Sequence, residues 1–224
     1  GTPDDLFVSA KDSKVSLATG WYLMPSFAET HTYNHSCNNV ATTIYNGMIA
    51  PLVPFAIRGA LWYQGESNAG RAYQYRQTFP LMINDWRQKW KDEFSFYFVQ
   101  LSSYGAYQNS NDGSDWAELR EAQTMTLSLP KTGMAVTTDV GNPKDIHPTN
   151  KQDVGHRLAL NALKSNYGLE VLHSGPMYES VHFEEDRAVV TFDYTGEGLT
   201  VKDKFGYVKG FEIAGEDKVF YYAK

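Results

Sequence analysis

The sequence has 224 residues, long enough for a sizeable domain with a substantial buried core, and 42% of them are hydrophobic. Its formal net charge of −6 argues against a nucleic-acid partner, because phosphate backbones are bound by clustered Lys and Arg. No run approaches 18 apolar residues, so we expect neither a membrane-spanning helix nor a membrane partner.

Regular structure is predicted from about residue 39 onward, because the first 38 residues carry no clear pattern. Residues 39–55 predict a helix that ends at its prolines. Residues 57–64 form a short, mostly apolar run, typical of a strand that is buried on both faces. Residues 72–90 predict an amphipathic helix. Its large apolar side chains recur at helical spacing: Tyr75, Phe79, Met82, Ile83, Trp86 and Trp90.

Two more strand and helix pairs follow. Residues 94–101 and 133–140 are apolar runs that predict strands, and residues 115–129 and 150–167 predict helices. Capping-box spacings mark both helix starts, at Asp115 with Glu118 and at Thr149 with Gln152. Helices that alternate with buried strands predict a parallel sheet in a three-layer α/β sandwich.

The pattern changes after Gly168. Short apolar runs separated by Gly and acidic turns predict a small antiparallel β appendage, with strands at residues 177–183, 188–194, 210–214 and 218–222. We therefore divide the chain into a main domain, 1–168, and a small β-rich segment, 169–224.

His147 is the best single candidate for chemistry. Ligands of parallel α/β sheets bind beyond the carboxyl ends of the strands, which directs attention to residues 64–68, 100–104 and 139–147. His147 follows a strand in a loop stiffened by prolines, where a general base is well held. Asp145 or Asp139 is placed to accept its Nδ1–H. The alternative is an ordinary loop histidine.

The turn after the first predicted strand is the second candidate. Gly65 lets the backbone approach a ligand, and its N–H with the Gln64 amide would line an oxyanion hole. Neighbouring polar side chains are Glu66, Ser67 and Asn68. Ser67 is a weak nucleophile candidate, because a nucleophile elbow needs a second glycine where Ala69 stands. The alternative is a polar turn that opens the next helix.

A third candidate is the pair Arg120 and Gln123, which share one helix face. That face either meets a carboxylate substrate or is merely solvated, and the pattern alone favours solvation. His31 and His35 are four residues apart, but their neighbours argue against a metal pair, so we expect no metal and no cofactor. Cys37 is the only cysteine, so the chain forms no internal disulfide and its compartment stays open.

Four segments carry a resemblance to a known family. They are Tyr45-Asn-Gly-Met-Ile-Ala-Pro-Leu52, Trp62-Tyr-Gln-Gly-Glu-Ser-Asn68, Leu119-Arg-Glu-Ala-Gln123, and Asp145-Ile-His-Pro148 with Asn150-Lys-Gln152. In order and spacing they resemble the sialate O-acetylesterases, which are SGNH-like serine carbohydrate esterases. The resemblance covers most of the chain from residue 39. It implies a flavodoxin-like parallel sheet and removal of O-acetyl groups from sialic acids, typically at the 9-position.

The resemblance also implies roles for residues. A serine in an early Gly-Gln-Ser-Asn block attacks the acetyl carbonyl, and His147 acts as its base. Gln64 and Gly65 contribute to the oxyanion hole. The histidine is oriented by Asp145, by Glu66 or Asp139 instead, or by a backbone carbonyl, because Lys144 stands where related esterases carry their acid. Substrate contacts are expected from Arg120, which would pair with the sialate carboxylate, and from Gln123 and Asn68.

One departure from the family is large, because no Gly-Gln-Ser-Asn block occurs in this sequence. We expect a fragment, or the product of a disrupted gene, that lacks the first strand and its serine and is inactive alone. Its exposed sheet edge suggests a homodimer. The alternatives are a non-catalytic carbohydrate-binding module, an acetylxylan-type esterase, or an active hydrolase that uses Ser67. The family alone suggests a periplasmic or secreted protein.

Overall fold

The computed structural model describes residues 7–10, 13–16, 40–105, 113–185, 187–201, 204 and 206–223, the first two ranges by backbone alone. The chain separates into two compact units, Gly1–Pro51 and Leu52–Lys224. The candidate residues from 64 to 147 all lie in the second unit. The predicted division at residue 168 stays a prediction.

The first unit contains a strand pair that the sequence did not predict. Strands β1 (Phe7–Ala10) and β2 (Ser13–Ser16) pair antiparallel. Farther along the chain, a π-helical turn at Tyr45–Ile49 continues into a 3-10 turn at Ala50–Leu52. The helix predicted over residues 39–55 is thus shorter and less regular than expected. His31 and His35 lie outside the described residues.

The second unit is built on a parallel three-stranded sheet. Its strands are β3 (Gly59–Trp62), β4 (Ser95–Val99) and β5 (Thr132–Ala135), paired in that order. Its helices are α1 (Ala72–Trp90), α2 (Asp115–Met125) and α3 (Lys151–Ser165), with a 3-10 turn at Thr126–Ser128 after α2. The predicted alternation of strand and helix is confirmed.

The side chains of β4 alternate between two hydrophobic layers. Phe96 and Phe98 are fully buried in a cluster with residues of α1 and α2. Tyr97 and Val99 point the other way and pack with residues of α3, including Val154. Because successive side chains of a strand face opposite sides of the sheet, β4 forms the centre of a three-layer α/β sandwich, as predicted.

The prediction that the first apolar run is buried on both faces is wrong. In β3, Ala60 and Trp62 pack on the α1–α2 side, whereas Leu61 is 67% exposed. The reason is position, because β3 is the edge strand of the described sheet and no described helix covers the face that Leu61 presents. Only the central strand is buried throughout.

Both predicted helix caps are displaced by one residue. The Ser114 side chain, rather than that of Asp115, accepts from the N–H of Ala117 at the start of α2. At the start of α3 the Asn150 side chain accepts from the N–H of Asp153 at 3.1 Å. Each is an N-cap interaction of the expected chemistry, and α3 is thereby anchored directly after the loop that carries His147.

The predicted antiparallel appendage is confirmed as two separate hairpin-like pairs. They are β6 (Met177–Glu184) with β7 (Arg187–Asp193), and β8 (Glu212–Ala214) with β9 (Phe220–Tyr222). Across the described residues, no helix has the length and apolar character needed to cross a bilayer.

Candidate active site

Two of the predicted segments meet at a cleft of about 420 Å³. One is the turn that follows β3, and the other is the loop that precedes α3. The lining residues are Tyr63, Glu66, Ser67, Ile146, His147, Pro148 and Lys151. Residues that are some 80 positions apart in the sequence are therefore brought together, at the carboxyl end of a parallel strand, as ligand sites of such sheets are.

His147 presents an open imidazole whose Nδ1 side faces a carboxylate. Its side chain is 87% exposed, and Nδ1 lies 3.5 Å from Oδ1 of Asp145. The same carboxylate oxygen accepts the backbone N–H of His147 at 2.9 Å, which fixes the turn between the two residues. Nε2 is consequently the ring nitrogen left for chemistry in the cleft.

Asp139, the other carboxylate considered as an acceptor for the Nδ1–H of His147, is paired with an arginine instead. Both of its oxygens accept from the guanidinium of Arg157, at 2.6 and 2.7 Å. This bidentate pair raises the pKa of Arg157 and ties the end of the β5 loop to α3. The geometry therefore favours Asp145 over Asp139 as the neighbour of His147.

Gln64 is held on both sides of its amide group. Its Oε1 accepts from the Tyr75 hydroxyl at 3.2 Å, and its Nε2 donates to Oδ1 of Asn68 at 2.7 Å. Burial raises the pKa of Tyr75 to about 12, so its hydroxyl remains a donor at any physiological pH. Asn68 thus positions Gln64 through its Oδ1.

Gly65 occupies a position that only glycine fits. Its φ of +156° is rare for residues with side chains, and a Cβ would lie 3.1 Å from Nε2 of Gln123 and 3.2 Å from Leu101 and Leu119 side-chain atoms. Within the described part of the chain its backbone N–H has no acceptor. Gly65 is a buried residue that directly precedes Glu66 and Ser67 of the cleft lining, and a backbone N–H with no acceptor at such a place has the chemistry of an oxyanion-hole donor.

The Gln123 side chain has a structural role, and the prediction that it contacts the substrate is wrong. Its side chain is fully buried; Oε1 accepts the N–H of Leu101 at 2.9 Å, while Nε2 donates to the carbonyls of Val99 and Gln64 at 3.2 and 3.4 Å. It joins the end of β3 to the end of β4 and has no surface with which to contact a ligand.

Arg120 is engaged in the same way. Its Nε donates to the carbonyl of Leu101 at 2.8 Å and its Nη2 to that of Ser102 at 3.0 Å, and burial lowers its pKa. The helix face that it shares with Gln123 does not line the cleft and packs on the chain that leaves β4, with Gln123 fully buried and Arg120 partly buried. Neither interpretation weighed for this face anticipated that packing.

The loop that carries His147 is braced by the chain after β4. Ser103 Oγ donates to the carbonyl of Thr138 at 2.6 Å, and the N–H of Gly105 donates to the carbonyl of Pro143 at 3.1 Å. A Cβ on Gly141 would fall 2.2 Å from the carbonyl oxygen of Ser103. Residues 101–105 thus act on the site by positioning the histidine loop.

Two lining residues, Tyr63 and Lys151, were assigned no role from the sequence. The Lys151 ammonium donates to the Tyr63 hydroxyl at 3.3 Å and lies 4.4 Å from the centre of its ring. One signal was available in the sequence, because a lysine in the first turn of a helix opposes the helix dipole. In the part of the chain that the structure describes, no cluster of three or more potential metal ligands occurs.

Comparison with known proteins gives concordant matches. A family model described as carbohydrate esterase, sialic acid-specific acetylesterase, matches residues 14–164. The chain is 31% identical to the sialate O-acetylesterase of Homo sapiens over 87% of its length and 39% of that protein. For the Mus musculus protein of the same name the identity is 34%, over 78% of this chain and 35% of that one.

A solved structure matches as well. The crystal structure of a novel carbohydrate acetylesterase from Xanthomonas citri aligns with a TM-score of 0.72 and 46% identity, covering 80% of this chain and 42% of that one. The chain thus spans about two fifths of the length of the proteins that it matches.

Proposed function

The chain belongs to the sialic acid-specific acetylesterase family of carbohydrate esterases, and on that premise we propose that it serves in the hydrolysis of acetyl esters on sialic acid, with the 9-O-acetyl ester as substrate. The relatives that share its family carry the name sialate O-acetylesterase. Acetylated xylan is the alternative substrate.

One observation carries this proposal: His147, with Asp145 beside its Nδ1, lines the same cleft as the turn that contains Glu66 and Ser67. A base and an oxyanion-hole donor are the two elements that acyl transfer requires besides the nucleophile. The free N–H of Gly65 and the positioned amide of Gln64 supply the donor side.

In the proposed reaction a serine hydroxyl attacks the acetyl carbonyl while its proton passes to Nε2 of His147. The carbonyl oxygen becomes an oxyanion that accepts from the Gly65 N–H. The ester bond then breaks, and His147 returns the proton to the sugar oxygen. Water, deprotonated by the same imidazole, releases acetate from the serine and restores the hydroxyl.

This sequence contains no Gly-Gln-Ser-Asn block, so it lacks the serine that serves as the family's nucleophile. We therefore propose that the 224-residue chain provides the base and the oxyanion hole and is inactive by itself. Ser67 is the rival nucleophile, favoured by its exposed position in the cleft. No hydrogen bond joins it to His147 among the described residues.

The deciding measurement is acetate release from 9-O-acetyl-N-acetylneuraminic acid and from acetylated xylan. The samples are the chain alone, the chain with an added segment that carries a relative's Gly-Gln-Ser-Asn block, and the variants His147→Ala and Ser67→Ala. His156→Ala, an exposed histidine of α3, is the matched control. We expect acetate release only when the segment is added. Of the three variants, only His147→Ala should then lose this activity.

Other outcomes contradict the proposal in distinct ways. Release by the chain alone that disappears in Ser67→Ala would identify Ser67 as the nucleophile. Sugar binding without acetate release under all conditions would indicate a carbohydrate-binding module. The homodimer and the periplasmic or secreted location expected from the sequence and the family also stay proposals, to be tested by sedimentation equilibrium and by cell fractionation.

A further inference from the structure

Among the described residues, Lys151 is the one lysine or arginine that lines the cleft. It is the first residue of α3, and its side chain is exposed at the rim, whereas Glu66 of the same cleft is half-buried. In the described part of the chain no carboxylate lies within ion-pair distance of its ammonium. The cleft therefore carries an exposed cation that has no counter-ion among the described residues.

The position of this charge is unfavourable for the helix itself. The first turn of a helix carries a partial positive charge, so a lysine there is destabilising, whereas an acid such as Asp153 is stabilising. Helix stability consequently does not explain Lys151. The Tyr63 ring and hydroxyl hold the ammonium in place without neutralising it, because neither group carries a negative charge.

We infer that Lys151, oriented by Tyr63, binds the carboxylate of an acidic acetylated sugar and so selects charged over neutral substrates. The inference rests on the proposed function, and it assigns to Lys151 the contact that the sequence suggested for Arg120. Arg120 donates to the carbonyls of Leu101 and Ser102 and does not line the cleft, whereas the Lys151 ammonium lines it and has N–H donors left for a ligand. The half-buried Glu66 disfavours an anion deeper in the cleft, which leaves the rim for the acid group.

The test is a binding measurement, so that it does not depend on the nucleophile. The probes are N-acetylneuraminic acid and its neutral methyl ester, which differ at the carboxylate alone. Binding is followed by the NMR signal of the His147 Cε1–H at low ionic strength, where an exposed charge contact is least screened. The proteins are the full chain, Lys151→Met, Lys151→Arg and the control Lys144→Met. Lys144 is an exposed lysine of the loop that carries His147, and it does not line the cleft.

We expect the full chain to bind the acid about two- to fivefold more tightly than the ester, as befits one charge contact at an exposed site. Lys151→Met should bind both equally, while Lys151→Arg and Lys144→Met keep the preference. The melting temperature of Lys151→Met should be unchanged or higher, which excludes misfolding as the cause.

The remaining results separate the two proposals. Equal binding of both probes by the full chain, or a preference that survives Lys151→Met, overturns the role of Lys151 and leaves the proposed esterase function standing. If neither sugar shifts the His147 signal, the cleft is not a sugar site, and both proposals fail together.

Discussion

One oxygen of Asp145 serves two groups of His147: Oδ1 accepts the backbone N–H at 2.9 Å and lies 3.5 Å from the imidazole Nδ1. The carboxylate therefore orients the ring and favours the tautomer in which Nδ1 carries the proton. In that tautomer Nε2 is free to accept a proton from a nucleophile.

The first prediction follows from this contact. Asp145→Ala should lower the ratio of the Nδ1–H to the Nε2–H tautomer of His147 by about two- to fivefold, the range for an exposed charge contact. The ¹⁵N chemical shifts of the ring nitrogens measure this ratio. Asn142→Ala is the control, because it removes a similar turn bond, to the N–H of Lys144 at 2.9 Å, without touching the imidazole. An unchanged ratio in Asp145→Ala would remove the orienting role.

The second prediction concerns the brace under the histidine loop. Gly141→Ala places a Cβ 2.2 Å from the Ser103 carbonyl oxygen and 2.4 Å from its nitrogen, so one of the two loops must move. We expect a loss of about 1–3 kcal/mol in the free energy of unfolding, typical of overpacking, together with weaker sugar binding. Urea unfolding and the His147 signal measure the two effects.

Gly155→Ala is the control for that change. It lies on the exposed face of α3 with nothing within 4 Å of its added Cβ, and the helix propensity of alanine should stabilise the protein by about 0.5–1 kcal/mol. If Gly141→Ala behaved like Gly155→Ala, the brace would have no mechanical role.

The third prediction tests whether Gln123 stabilises the fold or contacts the substrate. Gln123→Ala leaves the buried N–H of Leu101 without its acceptor at 2.9 Å and opens a cavity between β3 and β4. The free energy of unfolding should fall by about 2–4 kcal/mol. Gln88→Ala, at an exposed position of α1, should change it by less than about 0.5 kcal/mol. Weaker sugar binding at unchanged stability would restore the original interpretation.

The fourth prediction uses the buried hydroxyl of Tyr75, whose pKa rises from 10.0 to about 12. The unfolded chain ionises this group first, so it binds fewer protons than the folded chain between pH 10 and 12. The contribution of Tyr75 to stability is therefore complete below pH 10 and is lost as the pH rises toward 12, by about 2–3 kcal/mol in total.

Urea unfolding at pH 9 and pH 11.5 tests this prediction. Tyr75→Phe should lose less stability over that interval than the unaltered chain. Tyr73→Phe, whose ring is 75% exposed, should match the unaltered chain. Parallel behaviour of the two variants would show that the hydroxyl of Tyr75 titrates normally.

Local pattern was sufficient for most elements of the fold. The apolar spacing over residues 72–90 predicted α1 with its observed bounds, since helical periodicity is read within a few turns of the chain. Strand burial was not predictable in the same way. The apolar run that contains Leu61 resembles that of β4, and only its place at the edge of the described sheet leaves Leu61 exposed.

The candidate site shows the same difference between features set by local sequence and features set by tertiary position. His147 and the turn at Gly65 were singled out from the sequence, because strand ends, prolines and glycines are local features and the family motif reinforced them; their role in catalysis stays a prediction. The sequence left open whether Asp139 or Asp145 neighbours the histidine. The answer depends on Arg157, which lies 18 residues beyond Asp139 and donates to both oxygens of the Asp139 carboxylate.

The sequence by itself determined the alternation of strands and helices, the family, and the two segments that line the cleft, since each depends on short-range pattern and residue type. Only the tertiary structure decided which polar side chains face the cleft. Gln123 and Arg120 share a helix face with the correct chemistry for a ligand, yet that face packs on the chain leaving β4. Lys151 was passed over, yet it stands at the rim beside Tyr63. The direction in which a side chain points depends on packing between distant segments, and this information is absent from any local stretch of the chain.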